Sequence, residues 1–177
     1  MTNYVTVNDV ANAFLAIGGS PIMADAIEET ADITGISQAL VINIGTLNTR
    51  TVTSMLASAA RANRLQIPVV FDPVGAGASA FRNITSKTIM EQVSVNVVRG
   101  NISEVSFLAG LDANTRGVDA AQADAANDPA TVARSLAARS HCAVAVTGPV
   151  DAISDGTRSV LLFNGTPLLK KVSLVAV

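Results

Sequence analysis

Cysteine, aromatic residues and charge are all scarce in this 177-residue sequence. Its only cysteine, Cys142, has no partner for an internal disulfide. Aromatic residues make up 3% of the chain and tryptophan is absent, which argues against stacking of nucleic-acid bases on aromatic side chains. The formal net charge of −2 provides no basic surface for a polyphosphate backbone. These absences exclude a disulfide scaffold and disfavour a nucleic-acid partner.

Long hydrophobic runs are missing as well. Gly, Asn, Asp or Lys interrupts each apolar stretch within about ten residues, whereas a membrane-spanning helix needs roughly 20. The chain does not open with the basic stretch, apolar stretch and cleavage site of a secretory signal. We therefore expect a cytoplasmic protein that does not enter the membrane.

Apolar residues are abundant instead, at 49% of the chain. Charged residues make up 15%, below the roughly 25% that is usual in soluble proteins. The length suits a single domain over residues 1–177 with its own hydrophobic core. We expect part of the apolar surface to face another subunit.

Short apolar runs alternate with helical patterns along most of the chain. This alternation predicts an α/β fold with a mostly parallel central sheet and helices on both of its faces. Right-handed crossovers would place the carboxyl ends of the strands on one edge, where such sheets bind ligands. The predicted strands are 39–44, 68–72, 95–99 and 141–147, followed by hairpin strands at 152–154, 159–163 and 168–177. The predicted helices are 10–17, 24–33, 49–65, 85–92, 102–108 and 129–139, with Asn101 as the N-cap of the fifth and a long loop or irregular helix at 112–128.

The predicted strand ends bring a coherent chemistry to that edge. Arg99 supplies a cation, Asp72 and Glu104 supply carboxylates, and glycines and small hydroxyls accompany them. A phosphoanhydride with Mg²⁺ requires this combination of charge neutralisation, metal anchoring and close backbone approach. The segment 75–77 lacks the third glycine of a dinucleotide fingerprint, and no P-loop motif is present. The residues therefore predict a nucleotide site that is neither Rossmann-type nor Walker-type.

Six sequence blocks, preceded by T-N-Y-V at 2–5, occur in an order that is similar to one known family. They are G-G-S-P-I-M-A-D-A at 18–26, N-I-G-T-L at 43–47, F-D-P-V-G-A-G-A at 71–78, R-G-N-I-S-E at 99–104, G-V-D-A at 117–120 and V-T-G-P-V-D at 146–151. In this order they resemble the hydroxyethylthiazole kinase family, across almost the entire chain. The resemblance implies a ribokinase-like three-layer sandwich with a mostly parallel central sheet.

The resemblance also implies an activity. Members of the family use ATP and Mg²⁺ to phosphorylate the primary alcohol of 4-methyl-5-(2-hydroxyethyl)thiazole, a salvage step toward thiamine, and are typically homotrimers with sites at subunit interfaces. By resemblance, Met23 is the thiazole contact, Arg99 and Thr147 are ATP contacts, and Asp72 and Glu104 lie near the Mg²⁺ and the phosphates.

Each of these residues also has a structural interpretation. Met23 suits helix packing, Asp72 suits a turn, and Glu104 is spaced as the capping-box partner of Asn101. Asn101 and Gly148 are secondary candidates for the ligand site. The functional assignment therefore rests on the ordered set of blocks and not on any one residue.

The end of the sequence departs from the family pattern. In the family, the stretch corresponding to 168–172 continues into a T-G-x-G-C motif, whose glycines open a phosphate-holding helix and whose cysteine lies at the reacting alcohol. Residues 173–177 read S-L-V-A-V instead, and Cys142 cannot replace that cysteine because it lies within an apolar strand. Relatives also carry an H-N-I segment before the first residues. We assign no catalytic residue and expect a fold without the C-terminal helices and weak or no kinase activity from this chain alone.

Two alternatives stay open. One is a non-catalytic remnant that binds thiazole or nucleotide, or that oligomerises, without transferring phosphate. The other is a different ribokinase-like enzyme, such as a nucleotide-repair dehydratase, which shares the sheet topology but should not share the block at 18–26.

Overall fold

A computed structural model of the protein describes residues 1–111 and 128–165. Within these residues, helices and strands alternate as the sequence predicts, and none of the helices is long and apolar enough to cross a membrane. The helices are α1 (Val7–Ala16), α2 (Thr30–Gly35), α3 (Thr49–Leu65), α4 (Ala80–Gln92), α5 (Ile102–Leu108) and α6 (Pro129–Ser140). The strands are β1 (Leu40–Asn43), β2 (Val69–Asp72), β3 (Val97–Asn101), β4 (Ala143–Thr147), β5 (Asp151–Ser154) and β6 (Ser159–Leu162).

The six strands form one sheet in chain order, from β1 at one edge to β6 at the other. Neighbouring strands from β1 to β4 run parallel, and β4, β5 and β6 are antiparallel to one another in turn. Gly156, with φ of +95°, forms the turn between β5 and β6 in a conformation that favours glycine. The prediction of a mostly parallel α/β fold is confirmed.

The strand order places the connecting helices on one face of the sheet, because right-handed crossovers that all step in the same direction lie on the same side. Helix α3 packs on β1 and β2, α5 on β3 and β4, and α6 on β4, β5 and β6. The connecting helices therefore form one layer of the predicted sandwich. In β1 to β5 the strand residues facing these helices are buried, whereas most residues that alternate with them are only half-buried; the residues of β6 are exposed. The buried set includes Leu40, Ile42, Val69, Phe71, Val98, Val144 and Val146.

Two helices begin five or more residues away from their predicted start. The predicted helix 24–33 begins only at Thr30, because Asp25 is held by hydrogen bonds from Tyr4 and Arg50 that fix the preceding segment outside a helix. Helix α4 begins five residues before the predicted start, where the Ser79 side chain caps it. Residues 112–127, which include the G-V-D-A block, and the predicted strand 168–177 lie outside the described residues.

Candidate functional site at the strand ends

A row of three polar side chains crosses the sheet at the carboxyl ends of β1, β2 and β3. Asn43 and Asp72 are paired in register, and Nδ2 of Asn43 donates to Oδ2 of Asp72 over 3.0 Å. Nη1 of Arg99 donates to the same oxygen over 3.4 Å. All three residues occupy the sheet face opposite the crossover helices, since their strand neighbours face those helices. The predicted convergence of Asp72 and Arg99 is thus present.

The carboxyl group of Asp72 is largely buried, and one of its oxygens accepts no hydrogen bond from the described residues. Its side chain is 14% exposed, and its Oδ1 has no hydrogen-bond partner among the described residues. Burial raises the pKa of Asp72 to about 7, and the charge of Glu104 adds to this, although Arg99 and the Asn43 hydrogen bond oppose it. An unpaired carboxyl oxygen at this depth is suited to accept a cation or a ligand hydrogen.

Glu104 is buried and bonded to backbone through both oxygens. Its Oε1 accepts the N–H of Gly75 over 2.8 Å, and its Oε2 accepts the N–H of Asn101 over 2.8 Å. The Asn101 side chain in turn accepts the N–H of Glu104, so the predicted capping box is confirmed. Burial raises the pKa of Glu104, and the two backbone hydrogen bonds partly oppose the change. The structure therefore gives this carboxylate a definite role in shaping the loops.

Thr147 and Gly148 end the fourth parallel strand beside Asn101. Thr147 is the register partner of Asn101, and its hydroxyl donates to the carbonyl of Gly100 over 3.3 Å. The N–H of Gly148 donates to Oδ1 of Asp151 over 2.9 Å. Both residues lie on the β4 side of the same edge.

Met23 lies toward the other side of this edge and is 41% exposed. It stands two residues before Asp25, whose carboxylate accepts a hydrogen bond from Arg50 in the first turn of α3 over 3.2 Å. The N–H of Tyr4 donates to Thr46 just after β1, over 2.9 Å. These contacts anchor the segment that carries Met23 near the end of β1.

Two residues of this edge were not predicted. Asn3 is buried, and its Nδ2 donates to Oδ1 of Asn43 over 3.3 Å, which extends the polar row to the N-terminal segment. Arg82 donates to backbone carbonyls of the loops after β1 and β2. The predicted start of α4 at residue 85 left Arg82 in a loop, and the capping serine at position 79 was the available signal. Asn3 offered no signal beyond its place in the T-N-Y-V segment.

The oxygen atoms at this edge could bind a hard cation such as Mg²⁺ only if a bound ligand supplied further oxygen atoms. No group of three or more His, Cys, Asp or Glu side chains is placed to hold a metal within residues 1–111 and 128–165. Asp72 offers one unpaired oxygen, which fits Mg²⁺ bound largely through phosphate and water oxygens. Of the described residues at this edge, the carboxylate of Asp72 could therefore bind such an ion.

A mostly parallel sheet with a cation and carboxylates at its strand ends is an arrangement found in ribokinase-like α/β proteins. The model of the Hydroxyethylthiazole kinase family matches residues 1–175. The chain belongs to this family.

Relatives and a solved structure agree with this assignment. The chain is 61% identical to a hydroxyethylthiazole kinase of Clostridium beijerinckii and 59% identical to one of Ruminiclostridium cellulolyticum, with 98% of this chain and 64% of each relative covered. It is also similar to the structure of a hydroxyethylthiazole kinase protein from Pyrococcus horikoshii, with a TM-score of 0.87 and 39% identity over 99% of this chain and 64% of that one. The chain thus spans just under two thirds of the length of these relatives.

Proposed function

We propose that the protein transfers phosphate from ATP to the primary alcohol of 4-methyl-5-(2-hydroxyethyl)thiazole, with Mg²⁺. The observation that carries this proposal is the row of Asn43, Asp72 and Arg99, with one carboxyl oxygen unpaired, in a chain of this kinase family. Relatives that match 98% of the chain bear the name of this kinase. Phosphoryl transfer depends mainly on positioning and charge stabilisation, which such a row can supply.

The proposal assigns a ligand contact or a supporting role to each polar residue at this edge. The guanidinium of Arg99, 36% exposed and anchored by Asp72, would reach phosphate oxygens of ATP. The hydroxyl of Thr147 would lie against the nucleotide on the β4 side. Asp72 would contribute its free oxygen near the Mg²⁺ that neutralises the phosphates, while Glu104 supports the same region from the surrounding loops. Asn101 and Gly148 are secondary candidates for contacts with the same ligands.

Met23 would contact the thiazole ring. Its thioether is flexible and polarisable, which suits packing against a flat heterocycle. The exposed position near the end of β1 separates it from Thr147 on the β4 side of the edge. This separation supports an arrangement with thiazole and nucleotide side by side along the strand ends.

We also propose a homotrimer in the cytoplasm, in which a surface that we name the α1 patch packs against a second copy. Helix α1 contains no buried residue, although it is rich in apolar side chains. Apolar areas of this kind on one face of a protein mark interaction surfaces. The reduced, buried Cys142 is compatible with a reducing compartment. The α1 patch consists of Phe14 and Leu15 on α1 and of Ile17 and Ile22 in the segment that follows it.

The kinase proposal is tested by incubating the purified chain with ATP, Mg²⁺ and hydroxyethylthiazole and following thiazole phosphate by mass spectrometry. We expect slow formation of product, in keeping with the weak activity expected from the sequence, by the wild-type chain and by Arg64→Ala, which removes one exposed positive charge away from the strand ends. We expect Arg99→Ala and Asp72→Ala to lower the rate by about 10²-fold or more. A folded wild-type chain that binds ligand without forming product would contradict the proposal and favour the non-catalytic alternative.

A further inference from the structure

One peptide group in the loop after β2 is held on both sides by side chains of opposite charge. Nη1 of Arg82 donates to the carbonyl of Val74, and Oε1 of Glu104 accepts the N–H of Gly75 over 2.8 Å. Gly75 has φ of +70°, and an added Cβ would lie 3.1 Å from Cδ of Arg82. The backbone conformation favours glycine at position 75, and the close contact with Arg82 adds to this preference.

Each of the two charged side chains also reaches a second loop. Arg82 donates from Nη1 to the carbonyl of Ile44 over 2.6 Å and from Nη2 to the carbonyl of Gly45 over 2.7 Å, just after β1. Glu104 accepts the N–H of Asn101 at the end of β3 through its other oxygen. A continuous path of hydrogen bonds thus joins the ends of β1, β2 and β3.

The guanidinium group of Arg82 donates its hydrogen bonds to backbone carbonyls. Arg82 forms no ion pair among the described residues, and three carbonyl oxygens accept from its nitrogens. A planar fork of donors can serve three acceptors in fixed directions, which the single ammonium of a lysine cannot reproduce. Hydrogen bonds from a charged donor are also stronger than neutral ones. The arginine is therefore suited to holding loop geometry.

We propose that Arg82 and Glu104 are positioning residues that act together, through the peptide group between Val74 and Gly75, to hold three strand-end loops as one rigid unit. The unit comprises residues 44–45, 74–75 and 101 with the two side chains. Its rigidity is a property of the free protein. Its effect on ligand affinity rests on the proposed function.

The experiment is amide hydrogen exchange on the full chain, comparing wild type with Arg82→Lys, Glu104→Gln and the control Arg64→Ala. We expect Arg82→Lys to raise exchange at Gly45 and Gly75 by about tenfold or more, because charged hydrogen bonds are lost. We expect the strand amides of Val98 and Val144 to keep their wild-type rates. The control should match wild type throughout.

The decisive result is the effect of Glu104→Gln on the β1 loop, which Glu104 does not touch. We expect this variant to raise exchange at Gly45 as well as at Gly75. Faster exchange confined to Gly75 and Asn101 would overturn the proposal, because each side chain would then support only its own contacts. Should Arg82→Lys unfold the strands too, Glu104→Gln still decides at the same amides.

Calorimetric titration with ATP and with hydroxyethylthiazole separates this proposal from the proposed function. If the wild-type chain binds either ligand, we expect Arg82→Lys to raise that Kd by about tenfold, since loops that are not preorganised must be ordered on binding. An unchanged Kd would overturn the link to ligand binding. A wild-type chain that binds neither ligand contradicts the proposed function, and the exchange result then stands alone.

Discussion

The environment of Asp72 is unusual for a carboxyl group, because it is largely buried and has one oxygen without a partner among the described residues. The sequence places an aspartate at the end of an apolar strand, from which a polar residue at the ligand edge could be predicted. Its burial, its free oxygen and its shared hydrogen bonds depend on two neighbouring strands. Those contacts could not be predicted, because they require the register of strands that lie nearly 30 residues apart in the chain.

The raised pKa of Asp72 makes stability depend on pH. The ordinary value of 3.8 rises to about 7 on folding, so between these values the folded chain retains a proton that the unfolded chain releases. Stability should therefore fall as pH rises through this window. Without Mg²⁺, we expect Asp72→Asn to be more stable than wild type by about 1–3 kcal/mol at pH 8 and to have no advantage near pH 4.

Urea unfolding across this pH range checks the expectation, with Asp9→Asn at an exposed position as the control. A gap between wild type and Asp72→Asn that stays constant with pH would contradict it.

Two buried serines differ in whether their hydroxyls form hydrogen bonds. The hydroxyl of Ser86 has no partner within the described residues, whereas that of Ser58 is hydrogen-bonded to Thr30. We expect Ser86→Ala to raise the free energy of unfolding by up to about 1 kcal/mol, and Ser58→Ala to lower it by about 1 kcal/mol. Chemical denaturation of both variants measures the difference. Equal effects would show that Ser86 has a partner in solution, such as water.

At the scale of helices and strands, the sequence predicted the bounds of an element correctly where local interactions determine those bounds. Helix α3 occupies the predicted residues 49–65, since Asn48 provides a strong cap at its start. Helix α2 was predicted too early, because hydrogen bonds to Asp25 from distant residues override the local acidic pattern. Propensity alone does not report such tertiary contacts.

The cap of α3 can be tested directly. The Asn48 side chain accepts the N–H of Thr51 over 3.0 Å, and the Thr51 hydroxyl accepts the N–H of Asn48. We expect Asn48→Ala to lower the free energy of unfolding by about 1 kcal/mol, as the N-terminal amides lose their acceptor. Thr53→Ala, on the same helix but outside the cap, is the control for urea denaturation. A loss no larger than that of the control would count against the cap.

For the whole molecule, the family and the sheet could be predicted from ordered blocks and alternating patterns, and both are confirmed. The hydrogen bonds between the loops could not be predicted, because Arg82 contacts the carbonyls of Ile44 and Gly45, which lie 38 and 37 positions before it in the chain. Backbone carbonyls carry no sequence signal. The positioning role of this arginine therefore emerges only from the folded chain.

The α1 patch gives the prediction that belongs to this scale. Leu15 is 59% exposed and contributes little to the core of its own chain. We expect wild type to sediment as a trimer and Leu15→Glu to dissociate toward monomer, because a charge would be buried at the interface. Its stability as a monomer should be retained. Ile84→Glu, at an exposed apolar position on α4, serves as the control in sedimentation velocity experiments. A trimeric Leu15→Glu or a monomeric wild type would contradict the assignment.

The order of the sheet has a consequence for how the protein is made. Among the strands that the structure describes, each of β2 to β6 pairs with the strand that precedes it in the chain, so its partner has already been synthesised when it emerges from the ribosome. The sheet can grow outward from β1 as translation proceeds, with each new strand adding to an existing edge. Pairing between neighbours in sequence also keeps contact order low for a parallel sheet, which favours rapid folding. When β4 emerges, the nascent chain therefore already contains all the residues of the row that carries Asp72 and Arg99.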